Sequence, residues 1–247
     1  MAVEFSALPF APSYRRVANM IAARIMDRSL GDGDSLPTET ALALQLGVHR
    51  STLREALREL ESRGLLERRR GSKRLVVARP QTQSVAERVS DALTLQDVTV
   101  AEIWETLMML EPPAAQSAAR RRSDFDLDAL RSAAAEFADR GSDTLVAVAA
   151  VATFFRALVA ATGNRALALA NEPAIQLLQT SLRLTIDRVP QARARIRAAH
   201  RNLLLAIEAQ DPVAAGSWME KHIRDFRRGF EVAGIDLSSP VTGTLSS

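Results

Sequence analysis

The 247-residue chain contains no cysteine. That excludes a disulfide framework, a thiolate zinc site, an iron-sulfur cluster and a cysteine nucleophile, and it suits a reducing, cytoplasmic setting. Histidine is almost as scarce, with only His49, His200 and His222, and aromatic residues make up 4%. No glycine-rich phosphate loop and no His-Glu helix signature occurs, so neither a nucleotide cradle nor a nucleophile-base pair is visible and an enzyme is not expected. Long hydrophobic runs are missing too. The most apolar stretch, Leu145 to Ala161, is interrupted by Thr153 and Arg156 and falls short of the roughly 20 residues of a membrane span. The N-terminus carries Glu4 and no basic segment ahead of an apolar block, so nothing there resembles a secretory signal. Lysine is nearly absent: 30 of the 32 basic residues are arginine.

What is present is ordinary in amount and uneven in placement. Hydrophobic residues reach 47% and charged residues 25%, enough for a sizeable core, and the length allows two domains. Residues 1–80 carry 14 basic and 9 acidic side chains, a net of +5, whereas residues 81–247 carry 18 and 20, a net of −2. A basic third ahead of a mildly acidic remainder suits a nucleic-acid module joined to a domain with another task.

Within the basic third, Val17, Met20, Ile21 and Ile25 recur at helical spacing and predict a helix from about Tyr14 to Arg28. Thr38 is a candidate N-cap for a short second helix that ends near Gly47. A third helix follows His49, with Leu53, Ala56, Leu57 and Leu60 on one face and Arg50, Ser51, Thr52, Arg54 and Arg58 on the other. Gly64 sits where a helix should end. Two helices joined by a tight glycine turn form a helix-turn-helix, whose second helix presents its first turn to base edges in the major groove. Leu65 and Leu66, the basic run through Arg70, Gly71-Ser72-Lys73-Arg74 and Leu75-Val76-Val77 predict a β-hairpin with a basic tip.

Leu36-Pro37-Thr38-Glu39, Leu46 through Leu57 and Gly64-Leu65-Leu66 together resemble the winged helix of GntR-family bacterial transcription regulators. The resemblance implies DNA contacts from His49, Arg50, Ser51, Thr52 and Arg54, and from Gly71, Ser72 and Lys73 at the wing tip. His49 departs from the small hydroxyl residue usual at its position, which bears on operator preference.

Arg79 to Ser84 is polar and contains Pro80, so a linker is placed at 79–84 between a DNA-binding domain (1–78) and a second domain (85–235), with a disordered tail over 236–247. The second domain reads as helix throughout. Candidate helices run near 84–95, 99–121, 124–139, 143–162, 166–189, 191–210 and 212–233, with Pro112-Pro113 expected to kink or split the second. The fold class is thus mainly α: a winged helix-turn-helix of three helices and a small hairpin, joined to an all-α bundle.

Trp104-Glu105, Leu110-Glu111-Pro112, Ala118-Ala119-Arg120, Phe154 with Gly163-Asn164, His200 with Ala206-Ile207, and Asp211 with Ala214 and Met219 to His222 resemble the FCD effector domain of FadR-type GntR regulators. With the winged helix, the resemblance covers nearly all of residues 14–233. It implies a homodimer that binds a palindromic operator in double-stranded DNA, as a repressor in most members, and is modulated by a metabolite in the helical domain. Many members of that branch hold a metal ion with an Asp and a His four residues apart and two later histidines. Here the first two positions are Val151 and Phe155, leaving His200 and His222, so no metal or other cofactor is expected. Leu107 replaces a usual arginine, which makes the pocket more apolar and less suited to an anion than in the typical carboxylate-binding member; the expected effector is an organic acid or a larger apolar metabolite. Phe155, Arg183, His200 and His222 are the effector-contact candidates. The alternative is an architectural DNA-binding protein whose helical domain only dimerises.

Overall fold

A computed structural model describes residues 13–69, 74–140 and 142–242. The chain divides after Gln81 into two compact units.

The first unit contains α1 (Ser13–Met26), α2 (Glu39–Gln45), α3 (Arg50–Ser62), β1 (Leu66–Arg68) and β2 (Leu75–Val77). Its core is the apolar periodicity made physical: Val17, Ala18 and Ile21 of α1 pack with Leu53, Ala56, Leu57 and Leu60 of α3, all at most 5% exposed. Thr38 caps α2 by accepting from the Ala41 N–H. Gly47, at φ +61°, makes the tight reversal into α3, a conformation costly for a residue with a Cβ. β1 and β2 pair antiparallel, with Leu66 opposite Val77 and Arg68 opposite Leu75. Residues 34–36 add to the free side of β2, where Leu36 N–H donates to Leu75 O and Val77 N–H to Asp34 O, both at 2.9 Å. The wing tip residues Gly71, Ser72 and Lys73 lie outside the described residues.

The second unit comprises α4 (Thr82–Leu95), α5 (Val100–Arg121), α6 (Asp124–Arg140), α7 (Thr144–Ala160), α8 (Arg165–Leu177), α9 (Gln179–Arg188), α10 (Ala192–Glu208) and α11 (Pro212–Val232). Its helix starts carry their own signals: a capping box between Thr99 and Glu102, and side-chain caps from Asp143, Asn164 and Asp211. Phe137, Phe154, Leu158, Leu203, Ile207, Met219, Ile223 and Phe230 are all but fully buried at its centre. α11 lies tight against α5, where a Cβ at Gly216 would fall 2.6 Å from Gln116 Nε2. Trp104 Nε1 donates to the Ile223 carbonyl at 2.7 Å, pinning the same pair of helices.

The structure corrects four expectations. α4 begins at Thr82, so the last residues of the expected linker are helical. α5 is one helix through Pro112 and Pro113, so the split does not occur: tertiary packing of Glu111, Ala114, Ala115, Ala118 and Ala119 against its neighbours outweighs two missing backbone donors. The single helix expected over 166–189 is two, meeting at Leu178. The tail expected from 236 onward is ordered to residue 242: Val100 N–H donates to Ser239 O, Ala101 N–H to Leu237 O and Val241 N–H to Val98 O, and Val241 is 3% exposed. The first two of these bonds use N–H groups that the first turn of α5 cannot satisfy internally.

Candidate nucleic-acid interface and effector chamber

The DNA-facing surface follows from how α3 is anchored. With Leu53, Ala56, Leu57 and Leu60 turned into the core, the opposite face is forced outward, and Arg50, Ser51, Arg54 and Arg58 are exposed while Thr52 is half-buried. His49 is the N-cap of this helix. Its Nδ1 accepts from the Ser51 N–H at 3.4 Å and lies 2.7 Å from Ser51 Oγ. The imidazole therefore does the work of the small hydroxyl it replaces, and an accepting Nδ1 leaves the proton on Nε2, a donor suited to a base edge or phosphate.

Arg54 is not a loose arginine. Its Nε donates to Glu39 Oε2 at 2.7 Å, and that bond, the largest influence on Glu39, holds the carboxyl below the usual carboxylate range. Glu39 belongs to the first turn of α2 and fixes one edge of the guanidinium, leaving the other nitrogens for a partner. Sequence reasoning missed Glu39 as a functional residue; the only signal was its place in Leu36-Pro37-Thr38-Glu39, which says nothing of a contact 15 residues away. A cleft of about 430 Å3 adjoins this pair, bordered by Thr38, Glu39, Arg54, Arg68 and Arg74.

In the second unit the structure brings together most of the residues singled out from the sequence. His200 (1% exposed) stacks on Phe154 at 4.0 Å between ring centroids and meets Phe137 edge-on at 5.5 Å. His222 (2% exposed) lies 5.4 Å from His200 and packs against Phe226 at 4.4 Å and Phe155 at 5.8 Å. Burial drives both imidazoles toward the neutral form: His200 is held well below its ordinary value and His222 is pushed down to about 3. Leu107, Val151 and Phe155 line one small cavity beside them, about 30 Å3 in volume. Another, of about 20 Å3, borders His222 and Asp225. Each has room for about one water molecule. Arg183 does not join them. It is exposed and borders neither cavity, because on α9 Leu182, Thr185 and Ile186 take the inward positions.

Both ring nitrogens of His200 and Nε2 of His222 lack a hydrogen-bond partner, which is how metal ligands look when the metal is left out. The surrounding donor set does not fit an ion, however. The nearest rings are phenyl groups, and among the described residues no group of three or more His, Asp or Glu side chains is placed to hold one. A transition-metal site of two imidazoles and no carboxylate falls short of the usual ligand count.

A further buried pair was not foreseen. Asn171 Nδ2 donates to Glu111 Oε1 at 2.6 Å, while Glu111 Oε2 and Asn171 Oδ1 have no partner. Burial pushes the Glu111 carboxyl up to about 8, against a smaller opposing effect of the Asn171 bond, so it is neutral at pH 7.

Comparison with known proteins gives the same division. Residues 13–76 match the family described as bacterial regulatory proteins, gntR family, and residues 102–225 match the FCD domain. An uncharacterised HTH-type transcriptional regulator of Mycobacterium tuberculosis is 32% identical over 213 residues, covering 84% of this chain and 85% of its own. An Escherichia coli protein named for regulation of the L-lactate dehydrogenase operon is 31% identical over 214 residues, covering 84% and 82%. Among solved structures, a GntR protein of Streptococcus agalactiae superposes with a TM-score of 0.63 at 28% identity, covering 87% of this chain and 99% of its own. These relatives are transcriptional regulators rather than enzymes. Among the described residues no helix is long and apolar enough to cross a membrane.

Proposed function

The chain belongs to the GntR family of bacterial regulatory proteins and carries the FCD domain, and from that premise we propose that it is a metabolite-responsive repressor, acting as a cytoplasmic homodimer on a palindromic operator. The observation that carries the DNA-binding half is the outward face of α3, where His49, Arg50, Ser51 and Arg54 crowd the first turn and are exposed. Arginine there matches the bidentate reading of guanine, and the N-terminal turn of a recognition helix is the part that reaches base edges. Thr52 and the wing tip Gly71, Ser72 and Lys73 complete the proposed contact set.

The effector half rests on the FCD domain, a small-molecule-binding module, and its chemistry differs from that of the metal-holding members. Val151 and Phe155 stand where two ligands would be, and Phe155 packs on His222 and Phe226. We therefore propose regulation without a metal ion or other cofactor. One observation favours the second reading, a ligand-free dimerisation domain: the cavities beside the histidines are close to filled.

Selection of bound DNA from a random pool, with and without a panel of carboxylates, tests both. Enrichment of a short palindrome whose recovery falls with one compound supports the metabolite-responsive repressor. A palindrome indifferent to every compound favours the ligand-free reading, and no enrichment overturns the assignment of the DNA face.

A further inference from the structure

His49 occupies the N-cap of α3, a position that Ser, Thr, Asp and Asn fill better than an imidazole. Capping alone therefore does not account for this side chain. What the ring adds is a second nitrogen, Nε2, on an exposed residue immediately ahead of the helix end that meets base edges.

The polarity of that nitrogen is set from within the protein. Nδ1 accepts from the Ser51 N–H at 3.4 Å and lies 2.7 Å from Ser51 Oγ. A backbone N–H can only donate, so a proton on Nδ1 would face another proton. With Nδ1 unprotonated, the Ser51 hydroxyl donates to it as well, and the neutral ring carries its proton on Nε2. Ser51 thus directs both of its donors at the ring, and its oxygen keeps only lone pairs for anything outside. A hydroxyl on residue 49 would be free to donate or accept; the imidazole held in this way can only donate. The arrangement has a parallel on the same helix face, where Glu39 holds Arg54 at 2.7 Å.

Base edges differ in what they offer a group that only donates. In the major groove guanine shows two acceptors, N7 and O6, and thymine one, O4; adenine shows an acceptor beside a donor, and cytosine shows only its N4 donor. Serine and threonine hydroxyls suit either kind. We propose that His49 is a specificity-determining residue of the DNA face, donating from Nε2 to guanine or thymine and rejecting cytosine at one position of each half-site, and that Ser51 is the positioning residue that fixes its tautomer. This rests on the reading that the first turn of α3 enters the major groove.

Equilibrium binding of the full chain to the operator selected from a random pool, with each base placed in turn at every position, tests the assignment. The wild type is expected to show one position per half-site where guanine or thymine binds about tenfold more tightly than cytosine, the worth of one well-made hydrogen bond against an unpaired donor. His49→Ser keeps a strong N-cap and therefore the helix; in this variant the preference should shrink to about twofold or less, while preferences at the other positions stay. Ser51→Ala leaves only the backbone N–H to hold Nδ1 and should narrow the preference at the same position, and Ser51→Thr should restore it. A serine that merely supports the fold would not act on one base alone. An unchanged cytosine penalty in His49→Ser, or a loss of affinity that is equal for every sequence, assigns the ring to the cap or to a phosphate and overturns the proposal. A full preference in Ser51→Ala overturns the part given to Ser51. Arg50→Ala and Arg54→Ala separate the two levels of failure. If they lose affinity while the cytosine penalty survives His49→Ser, only the role of His49 falls; if they bind every sequence as the wild type does, the groove-facing reading of α3 falls with it.

Discussion

The recognition face of α3 and the histidine chamber of the helical unit treat polar atoms in opposite ways. On α3 the arginines are exposed and one of them, Arg54, is held by an acidic partner at 2.7 Å; in the chamber two imidazoles are sealed among four phenyl rings, and both nitrogens of His200 and Nε2 of His222 have no hydrogen-bond partner. Exposure leaves charge available for phosphate and base edges at little cost to folding. Burial favours the neutral imidazoles, so the chamber contributes packing and no fixed positive charge. The pair of histidines that the resemblance offers as effector contacts is buried in the fold, at 1% and 2% exposure.

Substitutions can break that contrast, and the largest effect belongs to the chamber. Phe154→Ala removes the ring stacked on His200 and should destabilise the protein by about 3 to 5 kcal/mol in urea unfolding. The opposite behaviour is expected of the DNA face: Arg50→Ala and Arg54→Ala should each cost about 1 to 3 kcal/mol of operator affinity, while surface substitutions of this kind leave unfolding within about 0.5 kcal/mol. Equal losses of stability in all three variants would erase the distinction.

Titration sharpens it. Because His222 is pushed from 6.5 to about 3 and His200 is lowered as well, the unfolded chain takes up protons below pH 6.5 that the native chain does not. Their stabilising effect is complete above that pH and is lost as pH falls toward 3, at roughly 1 kcal/mol per pH unit for each histidine. Melting temperature measured across this window should fall less steeply in His200→Leu with His222→Leu. Glu111 works the other way: with its carboxyl raised from 4.5 to about 8, the native chain holds a proton the unfolded chain releases. Its contribution is therefore present below pH 4.5 and is lost as pH rises to about 8, and Glu111→Gln should flatten that alkaline slope. The smallest effect is expected at His49, where Ala removes the cap of α3 and should cost about 1 kcal/mol of stability, with operator affinity falling as well.

Much of the first unit was legible in sequence because its signals are local. The cap at Thr38, the positive-φ turns at Gly47 and Gly64 and the spacing of Leu53, Ala56, Leu57 and Leu60 all act within a few residues, and they place α3 and its outward face without further information. What escaped depends on distant partners. Glu39 gains its role only when α2 and α3 pack; the Glu111–Asn171 pair spans 60 residues; and the segment 236–242 is ordered by N–H groups near Val100 that no local pattern reveals. The split expected at Pro112 and Pro113 does not occur because backbone donor arithmetic is local and the packing that overrides it is not. Arg183 misled for a related reason. Adjacent residues on a helix point to different faces, so Leu182 is buried while Arg183 is exposed.

The central claim, that the first turn of α3 reads DNA while the helical unit keeps its own fold, is tested most directly by equilibrium binding of the Arg50→Ala/Arg54→Ala double variant to the operator enriched by the wild type. The expected result is a loss of about 2 to 6 kcal/mol if the two contacts add, with an unchanged melting temperature. Wild-type affinity in the double variant would contradict it.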